Sequence, residues 1–148
     1  MTLGGSKRAL PAALKATFAA VARVLAELAR RCPEFDPASL LDAGSGPGTA
    51  SWAAAEIWPG LKTVTFLDTS AAFLEIATTL AQHGPAVLAG AKPMRGSIGN
   101  LPEGLSADLV VAAYALAELP LPKAAATAQG LWQASRRALV AGQVMALD

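Results

Sequence analysis

Cysteine and histidine are almost absent from this chain: Cys32 and His83 are the only examples among 148 residues. No internal disulfide can form, and no Cys/His metal site can be assembled. Cys32 reads as an inert residue at a helix end, and His83 as a solvated residue at the end of another. Such sparing use of cysteine fits a cytosolic or organellar-matrix location. Aromatics are scarce too, at 5%, although hydrophobic residues make up 53%. Much of that fraction is alanine, and the balance describes a globular chain rather than a disordered one.

Long apolar runs are missing. The longest, Leu109 to Ala117, is about half of the roughly 20 residues that a membrane helix needs. The N-terminal region lacks the uninterrupted apolar core of a signal peptide. We expect no membrane partner. A large excess of one charge is absent as well, with a formal net charge of +1. The charge is uneven, however. Residues 1–31 carry Lys7, Arg8, Lys15, Arg23, Arg30 and Arg31 against Glu27 alone. A basic N-terminal helix can meet RNA or phosphate, can end a targeting sequence, or can be a solvated face.

What is present is one domain's worth of alternating strands and helices. Pro11 suits the first turn of a helix running to about Arg31, with Leu14, Phe18, Val21, Leu25 and Leu28 on one stripe. Cys32 to Pro37 breaks it, so residues 1–37 read as a basic helix and linker and 38–148 as the core. Ser39 to Ala43 predicts a first strand, Thr49 to Trp58 a helix, and Thr63 to Leu67 a second strand closed by Asp68. Ser70 is placed to cap a helix from Ala71 to about Gln82, with Phe73, Leu74, Ile76, Ala77 and Leu80 turned inward. A third strand falls near Ala86–Leu88 or near Lys92–Arg95. Asp108 to Ala113 predicts a fourth, Lys123 to Leu139 a long helix, and Gln143 to Leu147 a fifth strand. Strands alternating with helices imply an α/β fold, a doubly wound parallel sheet of Rossmann type in the order 3-2-1-4-5.

The most informative segment is Leu40-Leu41-Asp42-Ala43-Gly44-Ser45-Gly46-Pro47-Gly48. A buried strand runs into a tight glycine turn with a helix behind it, the arrangement by which such sheets hold an adenine cofactor. No lysine lies near, so a phosphate-binding P-loop is excluded. A dinucleotide fingerprint needs glycine at the sixth position from Gly44, and Thr49 stands there. The spacing is Gly-x-Gly-x-Gly preceded by Asp42. Asp68, 24 residues after Gly44, can accept both hydroxyls of a ribose.

This pattern resembles the first motif of the class I S-adenosylmethionine-dependent methyltransferases. The resemblance implies S-adenosylmethionine as cofactor; with one cysteine and one histidine, no metal is expected. Asp42 would face its cationic part, Gly44, Ser45, Gly46 and Gly48 would pass under it, and Asp68 with Thr69 would hold the ribose. Members usually place an acid after the third strand; here Met94-Arg95-Gly96-Ser97-Ile98 puts Ser97 at that point, with Ile98 against the adenine face. After the fourth strand, Tyr114 and Glu118 are the polar side chains. They are the candidates for a catalytic role, and Tyr114 also for lining the cofactor pocket; core and positioning roles are the competing reading.

A closer resemblance spans nearly the whole chain. Leu41 to Ala50 with Trp52-Ala53-Ala54, Asp108 to Val111 through Tyr114 to Glu118-Leu119-Pro120, and Thr17 to Val21 are similar to the methyltransferase-like proteins associated with the small ribosomal subunit of mitochondria and bacteria. That implies a role in small-subunit assembly or rRNA modification, small-subunit rRNA or ribosomal proteins as partners, and a bacterial cytoplasm or mitochondrial matrix. Those proteins continue past the fifth strand, and many carry a cysteine cluster for an iron–sulfur centre. The expectation here is a sheet lacking its last strands, completed by a further region or another chain. A non-catalytic assembly factor on the same fold is the alternative function. A nicotinamide-dependent oxidoreductase is the second, disfavoured by Thr49 and by the lack of a hydride-transfer acid/base set.

Overall fold

The computed structural model describes residues 10–113, 115–141 and 144–147. Helix α1 (Ala12–Arg31) begins behind Pro11, whose fixed φ of −54° suits a helix entry. It buries Phe18, Val21, Ala22, Leu25 and Leu28, the stripe that the spacing predicts, with Leu14 half-buried at its start. Its last turn carries Arg30 and Arg31, which favour the negative end of the helix dipole. Both donate to Glu27, at 2.6 and 2.7 Å, and those hydrogen bonds hold the Glu27 carboxyl down at about 2. The basic cluster of this helix is thus partly neutralised from within.

Strand β1 (Ser39–Ala43) leads through the glycine turn into α2 (Thr49–Ile57), then β2 (Thr63–Asp68), α3 (Ala71–Ala81), a single turn α4 (Ala86–Ala89) and β3 (Lys92–Arg95). Strand β4 (Ala107–Ala112) follows, then a 3₁₀ turn (Ala115–Glu118), α5 (Leu121–Ala134), β5 (Ser135–Ala141) and β6 (Val144–Leu147). The sheet order is β3-β2-β1-β4-β5-β6. The first five strands are parallel, in the expected 3-2-1-4-5 order, and β6 pairs antiparallel with β5.

Alternate residues of each central strand face opposite layers. Leu40, Val64, Phe66, Leu109, Val111, Ala138 and Val140 pack under α1 to α4, and Leu41, Leu67, Val110, Ala112 and Leu139 pack towards α5. The near-continuous apolar strands are what burial on both faces requires. No described helix is long and apolar enough to cross a membrane.

One open alternative is settled and two expectations are corrected. The third strand is Lys92–Arg95, while Ala86–Ala89 forms a helical turn behind Pro85. The long helix stops at Ala134, and Ser135 to Ala141 is the fifth strand. Its alanine, leucine and arginine suit a helix, but register against β4 (Leu109 beside Ala138, Val110 beside Leu139) decides the outcome. The terminal segment therefore adds a sixth strand, so β5 is not the edge of the sheet. Finally, Phe73 and Ile76 of α3 do not turn inward: they are 46% and 45% exposed, while Leu74, Ala77 and Ala81 are buried.

Candidate functional site

The glycine turn is built by backbone conformations that side chains resist. Gly44, Gly46 and Gly48 all have positive φ, at 66°, 53° and 89°. At Gly44 there is a second reason: a Cβ would lie 2.8 Å from the Cβ of Ala115, so the 3₁₀ turn closes directly over this glycine. Gly48 is buried, with room for a Cβ limited by Phe66 at 3.1 Å and Ala77 at 3.4 Å. Gly48 also serves as the N-cap of α2. The turn is pinned to the neighbouring strand by Ser45, whose N–H donates to the Leu67 carbonyl at 2.9 Å.

Asp68 ends β2 and organises the next wall. One carboxylate oxygen accepts from the Gly46 N–H at 2.8 Å, and the other from the Ser70 N–H at 2.8 Å. Each oxygen keeps a further lone pair, so the carboxylate can accept additional hydrogen bonds in a fixed orientation. Ser70 in turn caps α3, its Oγ accepting from the Phe73 N–H at 3.1 Å. The Gly96 N–H donates to the Asp68 carbonyl at 3.1 Å, joining the segment after β3 to the same corner. Ser97 Oγ accepts from the Gly99 N–H at 3.1 Å.

These elements enclose a pocket of about 450 Å³ at the C-terminal ends of the central strands, a size typical of small-molecule sites. Gly44, Gly46, Asp68, Thr69, Ser97 and Ile98 line it, as do Ser70, Phe73, Gly96, Ala115 and Leu119. The parallel sheet predicts this position, where the connection from β1 runs to β2 on one side and that from β3 returns to β4 on the other. Of the residues expected here, Ser45 and Gly48 are buried beneath the turn and do not line the pocket. Tyr114 lies outside the described residues, and Glu118 is placed by its backbone alone in the 3₁₀ turn. Ser70, Phe73, Ala115 and Leu119 were not expected. For Ser70 the cap position next to Asp68 was a legible signal; for Phe73 the helix period was ambiguous.

Asp42 behaves unlike Asp68. It is 2% exposed, and its Oδ2 accepts from Ser51 Oγ of α2 at 2.7 Å. Burial is the main cause pushing its carboxyl up to about 7, with the Asp68 charge adding to the rise and the Ser51 hydrogen bonds opposing it. It sits behind the turn rather than on the pocket wall. Among the described residues no group of three or more His, Cys, Asp or Glu is placed to hold a metal ion.

A glycine turn at the switch point, an acid at the end of the second strand and this strand order together define the methyltransferase-type Rossmann fold. Magnesium protoporphyrin IX methyltransferase (ChlM) from Synechocystis PCC 6803, solved with bound SAM, matches with a TM-score of 0.67. It is 26% identical, over 84% of this chain and 57% of that one. CalS10, an amino pentose methyltransferase from Micromonospora echinaspora also solved with SAM, matches with a TM-score of 0.64. It is 23% identical, over 82% of this chain and 48% of that one. Within that class, the profile described as "Mitochondrial small ribosomal subunit Rsm22" matches residues 7–142, and the chain belongs to the Rsm22 family. The human ribosome assembly protein METTL17, mitochondrial, is 37% identical over 138 residues, which cover 88% of this chain and 30% of METTL17. The chain thus spans less than a third of that relative's length.

Proposed function

We propose that this chain is an S-adenosylmethionine-binding domain of methyltransferase type that acts in assembly of the small ribosomal subunit. The observation that carries the reading is the pairing of the Gly44–Gly48 turn with the Asp68 carboxylate around one pocket. The residues present suit the cofactor. At Gly46 nothing stands within 4 Å of where a Cβ would be, so a ligand can come close to the backbone there. Asp68 would hold the ribose hydroxyls, its two oxygens oriented by Gly46 and Ser70. Thr69, Ser97 and Ile98 would flank the nucleoside, and Asp42 would act from behind the turn, where its hydrogen bond with Ser51 ties the end of β1 to α2. The only charged side chain on the described lining is Asp68, which suits a cationic ligand better than a pyrophosphate.

The cofactor supplies a methyl group on a sulfonium, transferable to a nucleophile held in line. What this chain contributes is placement and exclusion of water by the apolar wall of Ile98, Ala115 and Leu119. Small-subunit rRNA is the proposed acceptor or partner, with ribosomal proteins beside it, and the mitochondrial matrix the proposed location, from family membership and the likeness to METTL17. A second reading, cofactor binding without transfer, is favoured by one observation: Asp68, the one ionisable side chain on the described lining, already orients two backbone N–H groups.

Calorimetry with S-adenosylmethionine and with NAD tests the first step. Binding of NAD but not of S-adenosylmethionine would sink the proposal. Incubation with methyl-labelled cofactor and small-subunit RNA then separates the two readings, label in RNA supporting transfer and its absence supporting the assembly factor.

A further inference from the structure

The basic N-terminal helix is the place where the sequence alone puts a contact with RNA. Its last two arginines are spent on Glu27. Among the described residues the other ion pair joins Arg136 to Asp108. Arg23, Lys62, Lys92, Arg95, Lys123 and Arg137 are exposed and take part in none of these pairs. Two of them stand beside the pocket.

Arg95 is the last residue of β3, in register with Asp68, and the next residue, Gly96, lines the pocket. Its Nη2 donates to the carbonyl of Thr69, another lining residue, at 3.0 Å. The guanidinium is thus fixed on the rim, with further N–H donors left over. A planar fork of this kind suits phosphate oxygens. Lys123 stands on the other side. It falls in the first turn of α5, one helical turn after Leu119 of the lining. That turn carries no acid and no side-chain cap, and a cation at a helix start opposes the dipole. Lys123 therefore does nothing for the stability of its own helix.

Strands β2 and β1 lie between β3 and β4. The two rims are thus separated by three strand spacings, roughly 14 Å, with the mouth between them. A polymer with a negative charge at every link can meet both cations at once. The link between them then lies over the mouth. Resting on the reading of small-subunit rRNA as acceptor or partner, we infer that Arg95 and Lys123 are phosphate contacts that lead a single RNA strand across the mouth of the pocket. A single strand suits the place better than a duplex, because its unpaired base is free to turn towards the opening. An acidic peptide would meet the same cations but would bring no base to the mouth.

The test is fluorescence anisotropy of the whole chain with labelled single-stranded oligouridylate in rising salt. Arg95→Gln and Lys123→Gln are each expected to weaken binding by about three- to tenfold at low salt. Each should also lower the slope of log affinity against log salt by about 0.7, the value of one phosphate contact on a single strand. Lys62→Gln makes the same change of charge at the opposite end of the sheet, just before β2, and is expected to bind as wild type. Calorimetry with S-adenosylhomocysteine should give Lys123→Gln the wild-type affinity; a loss there equal to its loss of RNA would overturn its role as a contact. Unchanged slopes in both rim variants, or an equal loss in Lys62→Gln, overturn the path and leave RNA as the partner. Polyglutamate bound as tightly as RNA, and lost in the same variants, overturns RNA in favour of an acidic protein. Wild-type chain that binds no RNA overturns the partner reading, and the path with it.

Discussion

At the scale of single residues, the two acids flanking the glycine turn are chemically different groups. Asp68 is an oriented carboxylate at the pocket wall, and Asp68→Ala removes both its anchors. We expect it to weaken cofactor binding by about 1–3 kcal/mol, the usual cost of losing a charged hydrogen-bond partner. An unchanged affinity in calorimetry would take Asp68 out of the ribose role. Asp42 instead titrates near 7 because it is buried, against 3.8 for an ordinary aspartate. The folded state thus keeps a proton that the unfolded chain releases between about pH 4 and 7, and stability falls as pH rises across that window. Every tenfold difference in proton affinity between the two states corresponds to roughly 1.4 kcal/mol, so the total loss is on the order of a few kcal/mol. Asp42→Asn has no proton to lose. Its melting temperature should exceed that of wild type at pH 8 and fall less steeply from pH 5 to 8; parallel pH profiles for the two proteins would refute this. The glycines separate in the same way. Gly46→Ala meets open space but a φ of 53°, so strain alone acts, at about 1–2 kcal/mol. Gly44→Ala adds a collision with Ala115 at 2.8 Å, and denaturant titration should find it the more damaging of the two.

At the scale of elements, how much was legible depended on whether the deciding forces were local. The glycine turn, Asp68 and the Ser70 cap were readable because each is specified by neighbours within a few residues. Ser70→Ala should cost about 1 kcal/mol of stability, the usual worth of an N-cap; a melt identical to wild type would show that the Asp68 bond to the Ser70 N–H suffices alone. Helix α3 was harder. It carries apolar residues around most of its circumference, so the period allows Phe73 and Ile76, or Leu74, Ala77 and Ala81, to face the sheet. Packing on β2 and β3 makes the choice, placing the second set inward. Strand β5 was misread for a related reason. Ser135 to Ala141 has a helix former's composition, and only the pairing with β4, a contact remote in sequence, makes it a strand. The buried side of Asp42 was illegible because its partner, Ser51, is chosen by how α2 lies on β1.

At the scale of the molecule, the sheet is protected unequally. Strands β1 and β4 lie at its centre with both faces covered, and Leu40, Leu41, Leu109 and Val110 are all essentially inaccessible. Strand β3 is a four-residue edge whose Lys92, Pro93 and Arg95 are exposed. Proline on an edge is a common guard against pairing with other chains, and it also removes a ladder hydrogen bond. Amide exchange should therefore be slowest in β1 and β4, where opening requires global unfolding, and faster in Met94 to Ile98, where local opening suffices. The pocket couples these regions, since its walls come from the β1 turn at one end and the segment after β3 at the other. A ligand that touches both binds only when the edge is in place, so it stabilises the edge by mass action. Saturating S-adenosylhomocysteine should slow exchange at Gly96 to Ile98 and at Ser70 to Phe73 by at least about tenfold, with little change in β4. Protection that spread evenly over the sheet would mean that the ligand acts through global stability alone. Protection confined to the Gly44–Gly48 turn would mean that the base never reaches the β3 end of the pocket.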